Sequence, residues 1–434
     1  MENKKLKIAM GMDSYLPTVD GVVMCMHNYC VNASKEHDVT ALVPKNGKKQ
    51  VDNFPYKTIR CNSFYIPIAK YYYGTPSSDA KFKKEVYAQD FDIIHLHSPF
   101  NMAKFAIKLA KNKNIPVVAT FHTNFRPIFE DILGSKAMTD MVIQSIGKTY
   151  NQMDEIFVCS PYIARQARSF GYKGKITILP FGTELEKATN VEELRAEANK
   201  KLDLQENELV FLYVGRVMPL KRIDFSIKAL KILKDKGIKF KFLVVGKGIY
   251  QKDLEDLAKE LGLQDDVKFL GFVERELLPY INARADLLLF PSLYDNFGLV
   301  KVEAAAYETP GIYIEDSPAG YGVTDGRNGF LTPDNLEIYA SKIEQAIADR
   351  DKLKQIGINA SNEIYIHWSD CTKLLIERYK EIIKEKKIRN ARQMKNKANA
   401  TPQKLKRARN ITKLIKSDRN LSLRKNIEMY EQYD

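Results

Sequence analysis

The stretch "ADLLLFPSLYDNFGLVKVEAAA", Ala285 to Ala306, joins an apolar run to two acids that lie eight positions apart. Its first eight residues predict a buried β-strand, because they form a short apolar run. Asp295 then lies in the turn, and Glu303 lies within a helix predicted to begin around residues 297–298. Since one acid precedes the helix and the other belongs to it, helical stacking does not explain both. The stretch therefore predicts a strand–turn–helix unit with acids placed for binding.

Short apolar strands alternate with helical segments along most of the chain, which predicts parallel βαβ units and an α/β fold. At 434 residues the chain is too long for one ordinary domain. A polar stretch between Gly182 and Glu208 separates two halves. We therefore expect two doubly wound, Rossmann-like domains that face each other across a cleft. The predicted strands are "LKIAMGM", "DVTALVP", "DIIHLH", "PVVATFH", "EIFVCS", "KITILPFG", "ELVFLYVG", "KFKFLVVG", "DVKFLGFV" and "ADLLLFPS".

The expected domain limits are residues 1–183 for the first domain and 184–366 for the second. A helix, 367–387, returns toward the first domain, since "SDCTKLLIERYKEIIKEKK" begins with a helix-capping serine at Ser369. A basic tail, helical or disordered, spans 388–434. From Lys380 to the end there are 17 Lys and Arg against 6 Asp and Glu, a net charge of +11, whereas the preceding residues carry +3. The basic character therefore belongs to the tail, and no nucleic-acid partner is expected for the two domains.

The cysteines and the apolar runs indicate in which cellular compartment the protein is expected. The five cysteines are scattered and odd in number, which is typical of free thiols in a reducing cytoplasm. The N-terminal apolar run is too short for a signal peptide, and there is no apolar run of about 18 residues, the length of a membrane span.

Several polar residues follow predicted strands, where open parallel sheets bind their ligands. Arg216 and Lys221, in "YVGRVMPLKRID", would place two cations beside the N-terminus of a helix that begins near Arg222. That arrangement suits a diphosphate, because the helix dipole and free amides add to the charge. A solvated loop is the alternative. The other residues that follow predicted strands are His97, His122, Gly246, Gly248 and Asp295.

Histidines raise the question of a metal site. His95 and His97 alternate along one predicted strand and so share a face, and His122 ends the next strand. A zinc site needs a further ligand, and none stands at a suitable spacing, so no metal is expected. A lone histidine such as His122 is more often structural than catalytic.

Six segments in combination resemble the retaining glycosyltransferases of family four, which have the two-domain GT-B fold. The resemblance covers about residues 7–380 and is closest to enzymes that add sugars to diacylglycerol and related membrane lipids. The matching segments are "DSYLPTVDGVV", "FDIIHLHSPF", "VATFHTNF", "FVCSPYIARQARSFGYKGKITILPFGTE", "GRVMPLKR" and "DNFGLVKVEAAAYETP".

The resemblance implies a role for each candidate residue. The catalytic set would be His122, Asp295, Arg216 and Lys221, with His122 near the hexose and the acceptor hydroxyl. The two cations would bind the donor diphosphate, and Asp295 would hold the hexose. The remaining donor-binding residues would be Glu303 at the ribose, Gly21 near the phosphates, Val273 at the base, and the amides of Phe297 and Gly298 at the hexose.

The implied reaction transfers a hexose, glucose from UDP-glucose, to a lipid such as diacylglycerol, without a cofactor or metal. Two further hypotheses stay open. One is another envelope acceptor, a polyprenyl-linked glycan or phosphatidylinositol, with GDP-mannose as donor. The other is a catalytically weak partner subunit, motivated by two departures from the family: Asp295 replaces the usual Glu, and Glu308 replaces a small residue before "TP".

The basic tail predicts attachment to an anionic membrane. "KLKRARNITKLIKS", Lys404 to Ser417, places apolar residues at helical spacing among Lys and Arg, a pattern typical of an interfacial helix. A solvated extension is the alternative. The expected location is cytoplasmic, peripheral on the inner face of the cell membrane.

Overall fold

The computed structural model describes residues 4–47, 50, 52–67 and 71–398. The tail segment Lys404 to Ser417 lies outside these residues. The strands are β1 (Lys7–Gly11), β2 (Asp38–Pro44), β3 (Lys57–Cys61), β4 (Ser63–Ile66), β5 (Tyr71–Gly74), β6 (Ile93–Leu96), β7 (Val117–Thr120), β8 (Glu155–Val158), β9 (Ile176–Ile178), β10 (Val210–Val214), β11 (Lys241–Val245), β12 (Val267–Gly271), β13 (Leu287–Phe290), β14 (Gly311–Ile314) and β15 (Phe330–Thr332).

Helices connect these strands. They are α1 (Gly21–Ala33), α2 (Ala80–Tyr87), α3 (Asn101–Lys113), α4 (Arg126–Leu133), α5 (Lys136–Tyr150), α6 (Pro161–Ser169), α7 (Val191–Leu202), α8 (Ile223–Asp235), α9 (Gln251–Glu260), α10 (Leu278–Arg284), α11 (Leu299–Ala305), α12 (Leu336–Ile347), α13 (Arg350–Glu363) and α14 (Trp368–Ala398). None of the helices in the described ranges is both long and apolar enough to cross a membrane.

Two parallel sheets form the framework, as the alternating pattern predicts. The first has the order β3-β2-β1-β6-β7-β8-β9, and the second has the order β12-β11-β10-β13-β14-β15. Strands β6, β7, β8 and β13 are buried along their whole length, because helices cover both faces of a parallel sheet. β4 and β5 form a separate antiparallel hairpin. This is the doubly wound arrangement of two Rossmann-like domains.

The sequence predictions of the elements are confirmed in most of their detail. Each of the ten predicted strands contains an observed strand, and α8 begins one residue after Arg222. The prediction missed β3, β14, β15 and the hairpin. Along the chain, all strands of the first sheet precede α7 and all strands of the second sheet follow it. We therefore retain residues 183/184 as the proposed boundary between the two domains.

The C-terminal helix begins at Trp368, one residue before the predicted serine. Trp368 is buried and packs edge-to-face on Tyr29, with ring centroids 5.1 Å apart. Further along α14, the Tyr379 hydroxyl hydrogen-bonds His95, and the Arg378 guanidinium lies 2.6 Å from the Glu155 carboxylate. The start of α14 therefore packs on the first sheet. By compactness the chain divides into Met1–Tyr379, which holds both sheets, and Lys380–Asp434, in which α14 continues to Ala398.

Candidate functional site

The loop that precedes α11 joins the carboxyl ends of the two sheets. The Asn296 side-chain amide donates to the His122 carbonyl at 2.7 Å, and the Cys159 thiol lies 3.3 Å from the Asn296 carbonyl oxygen. The Phe181 ring packs between His122 and Phe297, with centroid distances of 5.5 Å and 5.6 Å. The structure thus brings together loops that are more than 100 residues apart in sequence.

Lys221 and Asp295 form an ion pair, with the Lys221 ammonium 2.5 Å from one carboxylate oxygen. Lys221 ends a short 3₁₀ turn, Pro219–Lys221, just before α8, whereas Asp295 follows β13. The other Asp295 oxygen is buried and has no hydrogen-bond partner among the described residues. The resemblance assigned the two residues to separate parts of a donor, and the structure places them in direct contact. A ligand that binds either residue must therefore compete with the other residue for it.

Arg216 lies on a loop that two glycines hold in place. The Tyr213 hydroxyl donates to the Arg216 carbonyl at 3.0 Å, and the Arg216 side chain is exposed. A Cβ atom at Gly246 would lie 1.8 Å from the Gly215 carbonyl oxygen, and one at Gly248 would lie 1.9 Å from the Val217 carbonyl oxygen. The two glycines that the sequence singled out therefore allow their turn to pack directly against the Arg216 loop.

A cavity of about 470 Å³ collects several of the predicted residues. Gly21, Arg216 and Glu303 all line it. Gly21 begins α1, and a Cβ atom there would meet no atom within 4 Å, so its edge of the cavity is open. Val273 is not among the lining residues; it packs against the hydrophobic core of the second sheet.

Glu303 sits in a charged environment within this cavity. Burial raises the pKa of its carboxyl to about 7, and the nearby Arg275 guanidinium opposes that rise. Arg275 also pairs with Glu184 at 2.5 Å, and both residues line the same cavity. A group that accepts and donates hydrogen bonds near neutral pH suits contact with ligand hydroxyls. Sequence reasoning missed the Arg275–Glu184 pair because the two residues follow strands of different sheets. Glu184 follows β9 and Arg275 follows β12.

His122 is buried and uncharged. Burial lowers its pKa to about 3, so it acts as a neutral hydrogen-bonding group at physiological pH. Its Nε2 lies 2.9 Å from Nδ1 of His97, whose other ring nitrogen is buried with no partner in the described part of the chain. His95 and His97 share a face, as predicted, with ring centroids 4.3 Å apart.

The sequence has no third ligand at a suitable spacing, yet the structure places a cysteine beside two of the histidines. Cys25, on α1, brings its thiol within 4.8 Å of the ligand nitrogens of His97 and His122. The sequence concealed this because Cys25 lies on α1, far along the chain from both histidines, and spacing rules find only local ligand pairs.

Lys301 is a further residue that sequence reasoning missed. It is 2% exposed and donates from Nζ to the Ala319 carbonyl at 2.7 Å and the Tyr321 carbonyl at 2.5 Å. Burial lowers its pKa to about 7. The Nζ also lies 5.2 Å from the centroid of the Phe297 ring, so Lys301 ties the 319–321 loop to the start of α11. An isolated lysine between Val300 and Val302 gives no such signal in the sequence.

Glu308 does not enter the cavity that Glu303 lines. It lines a separate cavity of about 220 Å³ together with Arg195, Arg350 and Lys354. Its backbone has φ 59°, in the left-handed region that favours glycine, which gives a physical reason for a small residue there. This departure from the family therefore lies outside the cavity that Glu303 lines.

Comparison with known proteins gives two family matches. Residues 19–187 match the family described as "Glycosyltransferase Family 4", and residues 195–363 match "Glycosyl transferases group 1". Together the two matches cover nearly all of both sheets.

Individual relatives agree with these matches. The chain is 25% identical over 346 residues to an alpha-monoglucosyldiacylglycerol synthase of Acholeplasma laidlawii, which covers 77% of this chain and 86% of that protein. It is 28% identical over 325 residues to a D-inositol 3-phosphate glycosyltransferase of Nocardia farcinica, covering 70% and 71%. The crystal structure of Anabaena HepE in complex with UDP superposes with a TM-score of 0.70 at 19% identity, covering 87% of this chain and all of that one (100%). At that identity the last comparison shows the GT-B fold alone.

Proposed function

The chain belongs to the family-four glycosyltransferases, and we propose that it transfers a hexose, glucose from UDP-glucose, to a membrane lipid such as diacylglycerol. The observation that carries this proposal is the cavity lined by Gly21, Arg216 and Glu303, with the Lys221–Asp295 pair on the loops beside it. The monoglucosyldiacylglycerol synthase relative supports the choice of a glycolipid product.

The proposed chemistry follows from the charges of these residues. As the sugar leaves the nucleoside diphosphate, negative charge grows on the leaving oxygen, and Arg216 and Lys221 would stabilise it. When the diphosphate binds Lys221, the ion pair between Lys221 and Asp295 would break. Asp295 would then hydrogen-bond the hexose hydroxyls. Glu303 would hold the ribose, and neutral His122 would hydrogen-bond the hexose near the acceptor.

We propose retention of the anomeric configuration by front-face attack, without a metal ion. The acceptor oxygen would form its bond to the anomeric carbon on the side that the diphosphate leaves. The proton of the acceptor hydroxyl would pass to the departing phosphate oxygen. We assign no carboxylate the role of nucleophile, because in this arrangement Asp295 would hold the hexose hydroxyls and Glu303 the ribose.

The location that suits this reaction is the inner face of the cell membrane, with the chain peripheral and the basic tail in contact with anionic lipid. Each basic residue near such a surface contributes about 1 kcal/mol, so a few engaged side chains suffice for reversible attachment.

The test is transfer of labelled glucose from UDP-glucose into extracted lipid, with diacylglycerol as the defined acceptor. We expect a labelled lipid product with the wild type and with Lys228→Ala, an exposed lysine that pairs with Asp224 on α8 at 3.1 Å. With Lys221→Ala we expect transfer to fall by orders of magnitude while the fold stays intact. No lipid product from any nucleotide sugar, together with intact folding, would refute the proposal.

A second candidate acceptor is favoured by the inositol phosphate glycosyltransferase relative. In that case GDP-mannose and phosphatidylinositol or a polyprenyl-linked glycan would replace the first substrates. The same assay with these donors and acceptors separates the two. A chain that neither transfers nor hydrolyses any donor would instead be a partner subunit.

A further inference from the structure

Three buried side chains converge beside the cavity from separate elements. Cys25 comes from α1, His97 follows β6, and His122 follows β7, and each is less than 9% exposed. Their ligand atoms all lie within 4.8 Å of one another. Cys25 also lines the cavity, so the group borders it.

Not every polar atom of these three side chains has a hydrogen-bond partner. His97 Nδ1 shares one hydrogen bond with His122 Nε2 at 2.9 Å, and His97 Nε2 is buried without a hydrogen-bond partner in the described residues. An unpaired buried imidazole nitrogen costs free energy unless a ligand satisfies it. The Cys25 thiol is free and buried.

One thiolate and two imidazoles are the ligands that Zn²⁺ prefers, and three protein ligands leave a fourth position open. Hard cations such as Mg²⁺ take oxygen ligands and would be rejected. In a tetrahedral zinc site, ligand atoms lie about 3.3–3.7 Å apart, so small side-chain rotations close the present spacing.

We propose that Cys25, His97 and His122 form a binding site for Zn²⁺ that inhibits the protein. On binding, the Cys25 proton passes to solvent, and the ion is held by the Cys25 thiolate, the unpaired Nε2 of His97 and a ring nitrogen of His122. His122 is then directed toward the ion and away from the hexose. The inhibition rests on the proposed function, whereas the metal site itself does not.

The site is tested with Co²⁺, a coloured substitute for Zn²⁺, added to the full-length protein. We expect one equivalent to bind, with a near-ultraviolet charge-transfer band from the thiolate. Cys25→Ser should lose the band, and Cys61→Ser, a control for a buried thiol elsewhere in the first domain, should keep it. Because loss of an outer partner of a metal site already costs about 10–100-fold in affinity, His97→Gln should weaken Co²⁺ binding by at least about 100-fold. A wild type without the band, or a Cys25→Ser variant that keeps it, overturns the site.

Inhibition is measured separately, as the ratio of glucose transfer with and without added Zn²⁺. The ratio should fall for the wild type, recover on adding a chelator, and stay near one for Cys25→Ser, while Mg²⁺ should have no such effect. Inhibition of Cys25→Ser equal to that of the wild type overturns the inhibitory role. Since the cobalt band needs no sugar transfer, failure of the metal site and failure of the proposed function give different results.

Discussion

At the scale of single residues, the Lys221–Asp295 pair changes how the two side chains are expected to respond to mutation. A charge-assisted contact between Lys221 and a diphosphate contributes about 1.5–3 kcal/mol. Asp295 competes for the same ammonium at 2.5 Å. The two residues are therefore expected to have opposite effects on the binding of bare UDP.

We predict that Lys221→Ala weakens UDP binding by about 10- to 150-fold, from that contact energy. Asp295→Asn should bind UDP as tightly as the wild type or more tightly, because it releases Lys221, yet it should lose glucose transfer. Calorimetry with UDP and the transfer assay measure the two effects. If Asp295→Asn and Lys221→Ala weaken UDP binding equally, the assigned roles are wrong.

The buried Lys301 predicts a pH dependence of stability. Its pKa is lowered by burial to about 7 in the folded protein, below the ordinary value of 10.5. Between these two values the unfolded chain binds more protons than the folded one, so the lysine's contribution to stability rises as pH increases through this range.

Relative to Lys301→Met, the wild type should therefore gain stability between about pH 7 and about pH 9. Urea unfolding at several pH values gives the free energies. Lys228→Met, an exposed lysine on α8, should show no such change in its difference from the wild type. A constant difference for Lys301→Met across this range would contradict the lowered pKa.

At the scale of elements, the glycine turn after β11 supports the Arg216 loop. Gly246 has φ 130° and no room for a Cβ atom, whereas Gly237 has φ 81° and open space around it. Gly237→Ala should cost only the strain of a left-handed alanine, about 1–2 kcal/mol. Gly246→Ala adds a clash with backbone, so it should lower the melting temperature further and raise KM for the donor. Equal effects of the two substitutions would show that the contact with Gly215 is unimportant.

The sequence predicted most strands that form apolar runs, although it missed the apolar β14, and it missed strands that are short or half polar. Three consecutive leucines predict β13. By contrast, β15 has only three residues, and β3, "KTIRC", is half polar. Strand ends also predicted where His97, His122 and Asp295 would lie. The partners of these residues could not be predicted, because Lys221 and Asp295 are 74 positions apart and meet only when β10 and β13 pair.

At the scale of the whole molecule, the basic tail predicts salt-dependent attachment to membranes. Sedimentation with vesicles of rising anionic lipid content compares the full chain with one that ends at Ala398, where the described helix stops. The full chain should bind more as anionic lipid rises and less as salt rises. Equal binding of the two chains, or binding indifferent to salt, would exclude the tail as an electrostatic anchor.

The packing of Trp368, Arg378 and Tyr379 on the first sheet has a consequence for synthesis on the ribosome. The last strand of that sheet ends at Ile178, and about 200 further residues must be translated before Tyr379 emerges. At about 5–20 residues per second this takes roughly 10–40 s. During that interval the nascent first domain lacks the guanidinium partner of Glu155 and the aromatic cover of Tyr29. A newly made first domain is therefore a natural client for chaperones until the chain is almost finished.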